Sequence, residues 1–230
     1  MNEMREALIS AAPMELNDTQ IDTFCAFGAA LLKQNEVMNL TAITDPALVG
    51  QLHFADCLHL IPGRDWAGKA VIDVGCGAGF PGVPLKIGAP EIRLTLLDSL
   101  GKRMRWLEEI LPGLGSEATC VTDRAEDFAM DHREAYDAAT SRAVARLNVL
   151  CELCLPLVKV GGRFIALKGS AAKEEAAEAA NAIKVLGGKL IAVHEYQIAG
   201  AAHALVEIEK IAPTPGIYPR KYGKIKQKPL

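Results

Sequence analysis

The stretch AVIDVGCGAGFPG, residues 70–82, constrains this chain more than any other part of it. AVIDVG (70–75) is apolar and rich in β-branched residues, so it reads as a strand. Glycines at 75, 77 and 79 follow at once, and a helix is expected to start near Pro81. Glycine adopts left-handed backbone without a Cβ clash and lets the main chain approach a ligand, while the free amides of a helix start favour an anionic group. A strand, a glycine loop and a helix in this order form the first unit of an open, mostly parallel sheet.

The alternation continues downstream. RLTLLD (93–98), ATCVTD (118–123), YDAATS (136–141) and GRFIALKG (162–169) read as strands. Between them LGKRMRWLEEIL (100–111) and RLNVLCELCLPLV read as helices, and AAKEEAAEAANAIKVLG as one alanine-rich helix ending at Gly187–Gly188. KLIAVHEYQI and HALVEIEKI form an apparent antiparallel pair around Gly200. The expected fold is therefore α/β: a doubly wound, mostly parallel seven-stranded sheet with one antiparallel strand at or near an edge.

A helical region, 1–66, precedes this core of 67–211. Asn17 with Gln20 makes a capping box for a helix whose apolar stripe is Ile21, Phe24, Cys25, Gly28, Leu31 and Leu32. Asp45 and Pro46 start a second helix that Pro62 and Gly63 end. Residues 213–230 hold four prolines, two glycines and five basic residues without an acid, and 212–230 reads as a tail within the same overall domain.

Composition excludes some functions. The net charge of −3 makes nonspecific polycation binding unavailable, so any RNA contact must come from local basic patches. The start MNEMREALISAAPMEL lacks a secretory apolar core, and no run of about 18 apolar residues suggests a membrane span, so a cytoplasmic setting is expected. Six scattered cysteines suit a reducing compartment; Cys151 and Cys154 lack the further ligands a zinc site requires, and no metal is expected.

Gly77, Gly79 and Gly82 satisfy the dinucleotide pattern G-x-G-x-x-G, with Asp98 at the expected distance, which makes a nicotinamide or flavin enzyme the competing reading. Asp73 weighs against it, because a carboxylate there would repel a pyrophosphate; so does Pro81, which has no amide proton to offer. The run apolar-x-Asp-apolar-Gly-x-Gly-x-Gly resembles motif I of class I methyltransferases dependent on S-adenosylmethionine (SAM), whose amino group and sulfonium an acid would suit. Asp98 would then accept from the ribose hydroxyls, or cap the helix at Leu100 together with Ser99; Asp123, Ala125 and Glu126 would lie at the adenine, or be solvated loop residues.

The fourth strand ends in Thr140-Ser141-Arg142-Ala143, without the Asp/Asn-Pro-Pro-aromatic turn of amine methylation and without a nucleophilic cysteine. Arg142 suits a phosphate or the O6/N7 edge of guanine, or else pairs with a neighbouring acid. His53 and Asp56, one turn apart, face a substrate or are buried and satisfied; Asn39 bonds a base edge or caps a turn. Lys102, Arg103 and Arg105 form one basic patch, and Arg220, Lys221, Lys224, Lys226 and Lys228 another, interleaved with Tyr218 and Tyr222 for stacking on RNA.

Asn39-Leu40-Thr41-Ala42-Ile43, His53-Phe54-Ala55-Asp56, the loop through Phe80-Pro81-Gly82, Leu97-Asp98-Ser99, Lys102-Arg103, Ser141-Arg142-Ala143, Leu167-Lys168-Gly169 and Tyr218-Pro219-Arg220-Lys221 together resemble the RsmG (GidB) family, bacterial 16S rRNA guanine-N7 methyltransferases. The resemblance runs from about residue 37 to the C-terminus. It implies a Rossmann-like class I enzyme that uses SAM, releases S-adenosylhomocysteine and methylates N7 of a guanine in the 530 loop, on 16S rRNA or the small ribosomal subunit. It also implies SAM contacts at Gly75, Phe80, Ala125 and Glu126, with Gly77 and Gly79 in the same loop, and places Arg142 at both cofactor and acceptor; Asn39 and His53 join Arg142 as acceptor-side candidates on the reading of the residues above. A monomer with no membrane or obligate protein partner is expected. Cys76 stands where the family has a small or hydroxyl residue and is a candidate for oxidation. The alternative is a methyltransferase of the same fold acting on a small molecule or a protein; an RNA-binding factor without turnover is a third reading.

Overall fold

The computed structural model describes residues 2–230, as one seven-stranded sheet with helices on both faces. Its strands are β1 (Ala70–Val74), β2 (Arg93–Asp98), β3 (Ala118–Thr122), β4 (Tyr136–Arg142), β5 (Val158–Gly169), β6 (Gly188–Ile198) and β7 (Ala201–Lys210), in the order β3-β2-β1-β4-β5-β7-β6. The first five run parallel, and β7 is inserted antiparallel to both β5 and β6. The reversed strand thus lies one place in from the edge. Ala199 and Gly200, both at positive φ (49° and 77°), make the tight turn that joins β6 to β7. The strand order reverses between β1 and β4, which leaves a crevice beyond their carboxyl ends.

On one face lie α1 (Asn2–Ala11), α2 (Asp18–Met38), α3 (Pro46–Leu48), a π-helical segment Val49–Ala55, α4 (Asp56–Leu58), α5 (Gly82–Gly88) and α6 (Gly101–Ile110). The other face carries α7 (Ala125–Asp131), α8 (Leu147–Cys154), α9 (Ala172–Glu178), α10 (Ala180–Val185) and α11 (Tyr222–Gln227). The expected capping box is present: Asn17 Oδ1 accepts from Gln20 N at 2.9 Å, and Gln20 Oε1 from Asn17 N at 3.0 Å. Gln20 Nε2 also donates to the Ile87 carbonyl at 3.1 Å, tying the start of α2 to the end of α5.

The N-terminal helices share the main core. Phe24, Phe27 and Leu31 are fully buried, with Phe27 in the apolar stripe where Cys25 and Leu32, only half-buried, were expected. The Phe27 ring lies 5.7 Å from that of Phe54 and 5.5 Å from that of Phe80, so the helices pack directly against the end of the glycine loop.

Three elements differ from the sequence expectation. The helix begun by Asp45 and Pro46 widens into a π turn over Val49–Ala55, where Gly50 sits so close to α1 that a Cβ would lie 2.6 Å from the Met4 carbonyl. The alanine-rich helix divides at Ala179, and a run of alanines with no cap residue gives no sign of the break. Residues 212–230 are not only a tail: α11 forms within them and buries Ile225 against α8.

Candidate active site

The glycine loop turns back over β2. Gly75 N and Cys76 N both donate to the Leu97 carbonyl, at 2.8 and 3.2 Å, and Gly75, Gly77 and Gly79 all have positive φ. Gly75 is also sterically required, because a Cβ there would stand 2.5 Å from Cγ2 of Val144. The carboxylates on either side hold the loop. Asp98 Oδ2 accepts from Gly77 N at 2.9 Å, and its Oδ1 from Leu100 N at 2.8 Å, so it anchors the loop and closes an Asx turn that leads into α6, whose N-cap Leu100 has no side-chain cap, while Asp98 also lines the crevice.

Asp73 sits behind the loop rather than in the crevice. It is fully buried, and its Oδ2 accepts from Gly82 N at 2.7 Å, fixing the start of α5. Its Oδ1 has no hydrogen-bond partner among the described residues, and burial pushes its carboxyl up to about 7, against the bond from Gly82 and the charge of Arg142. Asp73 is not among the residues that line the crevice; in this structure it fixes the glycine loop to the start of α5.

The crevice holds a cavity of about 490 Å³ along the carboxyl ends of β4, β1, β2 and β3. Leu40, Thr41, His53, Phe80 and Arg142 line the β4 end, Asp98 and Ser99 the middle, and Asp123, Ala125, Glu126 and Tyr222 the β3 end. No group of three or more potential metal ligands occurs among the described residues.

At the β4 end the network runs in one direction. Arg142 NH1 donates to the Leu52 carbonyl (3.0 Å) and to Asp56 Oδ2 (3.2 Å), and NH2 donates to His53 Nδ1 (3.0 Å). His53 Nε2 lies 2.7 Å from Thr41 Oγ1, and the imidazole stacks on Phe80 with centroids 4.6 Å apart. The Arg142 guanidinium lies 4.8 Å above the same Phe80 ring. Burial, and then the charge of Arg142, pull His53 down to about 4, so it is neutral near pH 7. Asp56 is buried and accepts also from Tyr196 Oη and His203 Nδ1, each at 2.8 Å. Of the two readings of Arg142, the structure shows the pairing with a neighbouring acid, and both terminal nitrogens are engaged within the chain. His53 lies in the π segment and Asp56 directly after it, and both reach Arg142.

Asn39 does not line the cavity. It is the left-handed C-cap of α2 (φ 50°) and is exposed, which is the capping alternative for that residue. The cap places Thr41, which sequence reasoning did not single out. Its signal in the sequence was its place in the segment Asn39–Ile43 that carries the family resemblance, which assigned it no role.

At the β3 end, buried Glu126 accepts from Arg124 Nε (3.4 Å) and Tyr222 N (3.3 Å), and the Arg124 guanidinium lies 4.6 Å from the Tyr222 ring centroid. The C-terminal segment thus supplies a wall of the cavity. It is held by Arg133, which donates to the Tyr218 and Thr214 carbonyls at 2.6 and 2.7 Å. Arg220 clamps fully buried Glu152 through Nε (2.8 Å) and NH2 (2.6 Å), and Lys221 pairs with Asp127. Lys102, Arg105 and Lys224 are exposed, while Arg103 lines the cavity 4.0 Å from Asp98. Cys76 is buried, and burial together with Asp73 and Asp98 raises its thiol well above the usual range, so the expectation of easy oxidation is not supported.

The strand order, the single reversed strand and a glycine loop opening on the switch-point crevice define a class I methyltransferase fold. Solved structures of that fold are similar: TrmN from Thermus thermophilus (TM-score 0.53, 19% identity, 67% of this chain and 47% of that one), and a mutant 16S rRNA (adenine(1408)-N(1))-methyltransferase from Catenulisporales acidiphilia determined with its cosubstrate SAM (TM-score 0.55, 14% identity, 65% and 88%). The chain belongs to the rRNA small subunit methyltransferase G (GidB) family, whose model matches residues 20–204. It is 48% identical to the ribosomal RNA small subunit methyltransferase G of Alkaliphilus metalliredigens over 94% of this chain and 92% of that protein. It is 45% identical to the one from an Exiguobacterium species over the full length of both.

Proposed function

We propose that this protein transfers a methyl group from SAM to N7 of a guanine in the 530 loop of 16S rRNA. The observation that carries the reaction class is the state of His53. It is the one imidazole at the β4 end of the cavity, both its nitrogens are engaged, and it is a poor base near neutral pH. Guanine N7 carries a lone pair and no proton, so its methylation needs no base, only alignment.

The residues suit the cofactor. Gly75 and Gly77 would give close backbone approach, Asp98 would accept from the ribose hydroxyls, and Ala125, Glu126 and Tyr222 would wall the adenine. Asp73, buried behind the loop, would favour a cationic amino-acid moiety when its carboxyl is ionised. When bound, SAM supplies an electrophilic methyl group. Phe80 and Arg142 would bound the acceptor end, and Asp56 holds Arg142 in place.

Lys102, Arg105 and Lys224 are exposed cations that would hold RNA phosphates, whereas Arg220 and Lys221 act first within the chain. The setting that follows is cytoplasmic; no described helix is long and apolar enough to cross a membrane. The test is transfer from labelled SAM to small subunits lacking the modification, with the base mapped. A single N7-methylguanine in the 530 loop is expected. SAM binding without transfer to any rRNA would overturn the assignment.

A further inference from the structure

The hydrogen-bond network at the β4 end fixes the polarity of a side chain that has no assigned role. Arginine has no acceptor atom, so Arg142 NH2 can only donate to His53 Nδ1, and that nitrogen must present its lone pair. The proton of the neutral ring then sits on Nε2 and is donated to Thr41 Oγ1 at 2.7 Å. The amide of Ile43 donates to the same oxygen at 3.0 Å. A hydroxyl accepts through two lone pairs, and both are taken, so Thr41 keeps only its O–H, as a donor. Its backbone is held as well, because Thr41 N donates to Asn35 Oδ1 at 2.8 Å beside the left-handed cap at Asn39. Thr41 lines the cavity at the end opposite Ala125 and Glu126.

We infer that Thr41 is a specificity residue for the acceptor base, its hydroxyl donating a hydrogen bond to a purine carbonyl oxygen, O6, adjacent to the N7 that is methylated. The inference rests on the guanine-N7 reading above. Arg142 lines the same end; both N–H groups of its NH1 are held by Leu52 and Asp56 and one of NH2 by His53, so the Thr41 hydroxyl is the group there whose role as a donor the network fixes. Adenine would present an amino group at the same place, setting donor against donor, and a site built around a fixed donor rejects such a base by leaving the polar groups unpaired.

The test is a cycle of two proteins and two RNAs, with the full-length chain as enzyme. One 16S rRNA carries guanine at the target position; the other carries 2-aminopurine, which keeps N7 but lacks O6. Single-turnover rates and SAM dissociation constants are measured for the unchanged protein, Thr41→Val and Thr41→Ser. The unchanged protein should prefer guanine by about tenfold, a hydrogen bond's worth. Thr41→Val should lose that preference while binding SAM within about twofold of the unchanged protein, and Thr41→Ser should keep it. The preference, not the absolute rate, decides the matter, since a merely structural role would slow both RNAs alike. An unaltered guanine preference in Thr41→Val would overturn the inference. It would mean that the hydroxyl faces the cofactor carboxylate, if SAM affinity falls, or that the base enters the neighbouring hollow lined by Leu52, Lys168 and His203, if it does not. Absence of transfer from the unchanged protein to guanine RNA is a separate result; it would overturn the guanine reading and this inference with it.

Discussion

Arg142 at the end of β4 and Asp56 just after the π turn meet at 3.2 Å, although 86 residues separate them, and both side chains are largely withdrawn from solvent. This pair joins the N-terminal helices to the sheet at the active end. Burial alone would raise the Asp56 carboxyl, but the hydrogen bond from His203, the charge of Arg142 and the bond from Tyr196 hold it below its ordinary value. Asp56→Ala should therefore strand a buried guanidinium and cost about 3 kcal/mol of stability. Urea denaturation of the single variants and of the double variant with Arg142→Met measures this. The double variant should be more stable than the sum of the single effects predicts.

Gly75→Ala should raise the SAM dissociation constant by about tenfold or more, because its Cβ would fall 2.5 Å from Val144 Cγ2 at φ +71°. Adding Val144→Ala removes the clash but not the backbone strain, which is worth about 1 kcal/mol. Calorimetric titration should then show partial recovery; no recovery would mean that Val144 is not the obstacle.

Stability should respond to pH through Asp73. Its folded value, about 7, is raised above the unfolded one, so between the two the folded state binds more protons and stability falls as pH rises. Asp73→Asn keeps an acceptor for Gly82 N and removes the titration. Its stability relative to the unchanged protein should improve by on the order of 2 kcal/mol from pH 5 to pH 8. A pH-independent difference would show that the buried carboxyl stays near its ordinary value.

Two of the five cations of the C-terminal segment, Arg220 and Lys224, should separate cleanly. Arg220→Ala leaves Glu152, fully buried, without its partner and should cost about 2 kcal/mol of stability. Lys224→Ala, at an exposed position, should leave the melting temperature unchanged, weaken RNA binding and lower the salt slope by about 1. Thermal melts and salt-dependent binding titrations check both.

Thiol labelling of the native protein should reach Cys25 and Cys120, which are partly exposed, well before Cys76, which is buried and held protonated. Rapid labelling at Cys76 would show that the glycine loop opens in solution.

The order of strands and helices after residue 67, the glycine loop and the Asn17 capping box were legible because each is local: period, turn chemistry and caps act within a few residues. The same locality explains what was missed. The break at Ala179 carries no residue signal, and the π turn at Val49–Ala55 follows from the close packing of Gly50 on α1. Residues 213–230 read from sequence as a basic tail with prolines and glycines; burial of Ile225 and the buried partner Glu152 make part of it structural.

By itself, then, the sequence determined the alternating α/β architecture, the crevice at the glycine loop and the acids and arginine around it. The tertiary structure decided their partners. Asp73 is paired with Gly82 N behind the loop, and Arg142, which lines the cavity, is paired with Asp56. Thr41 acquires its fixed polarity only through His53, Arg142 and Ile43. Hydrogen-bond direction and desolvation depend on which groups meet across long sequence separations, and no local pattern of residue types encodes that meeting.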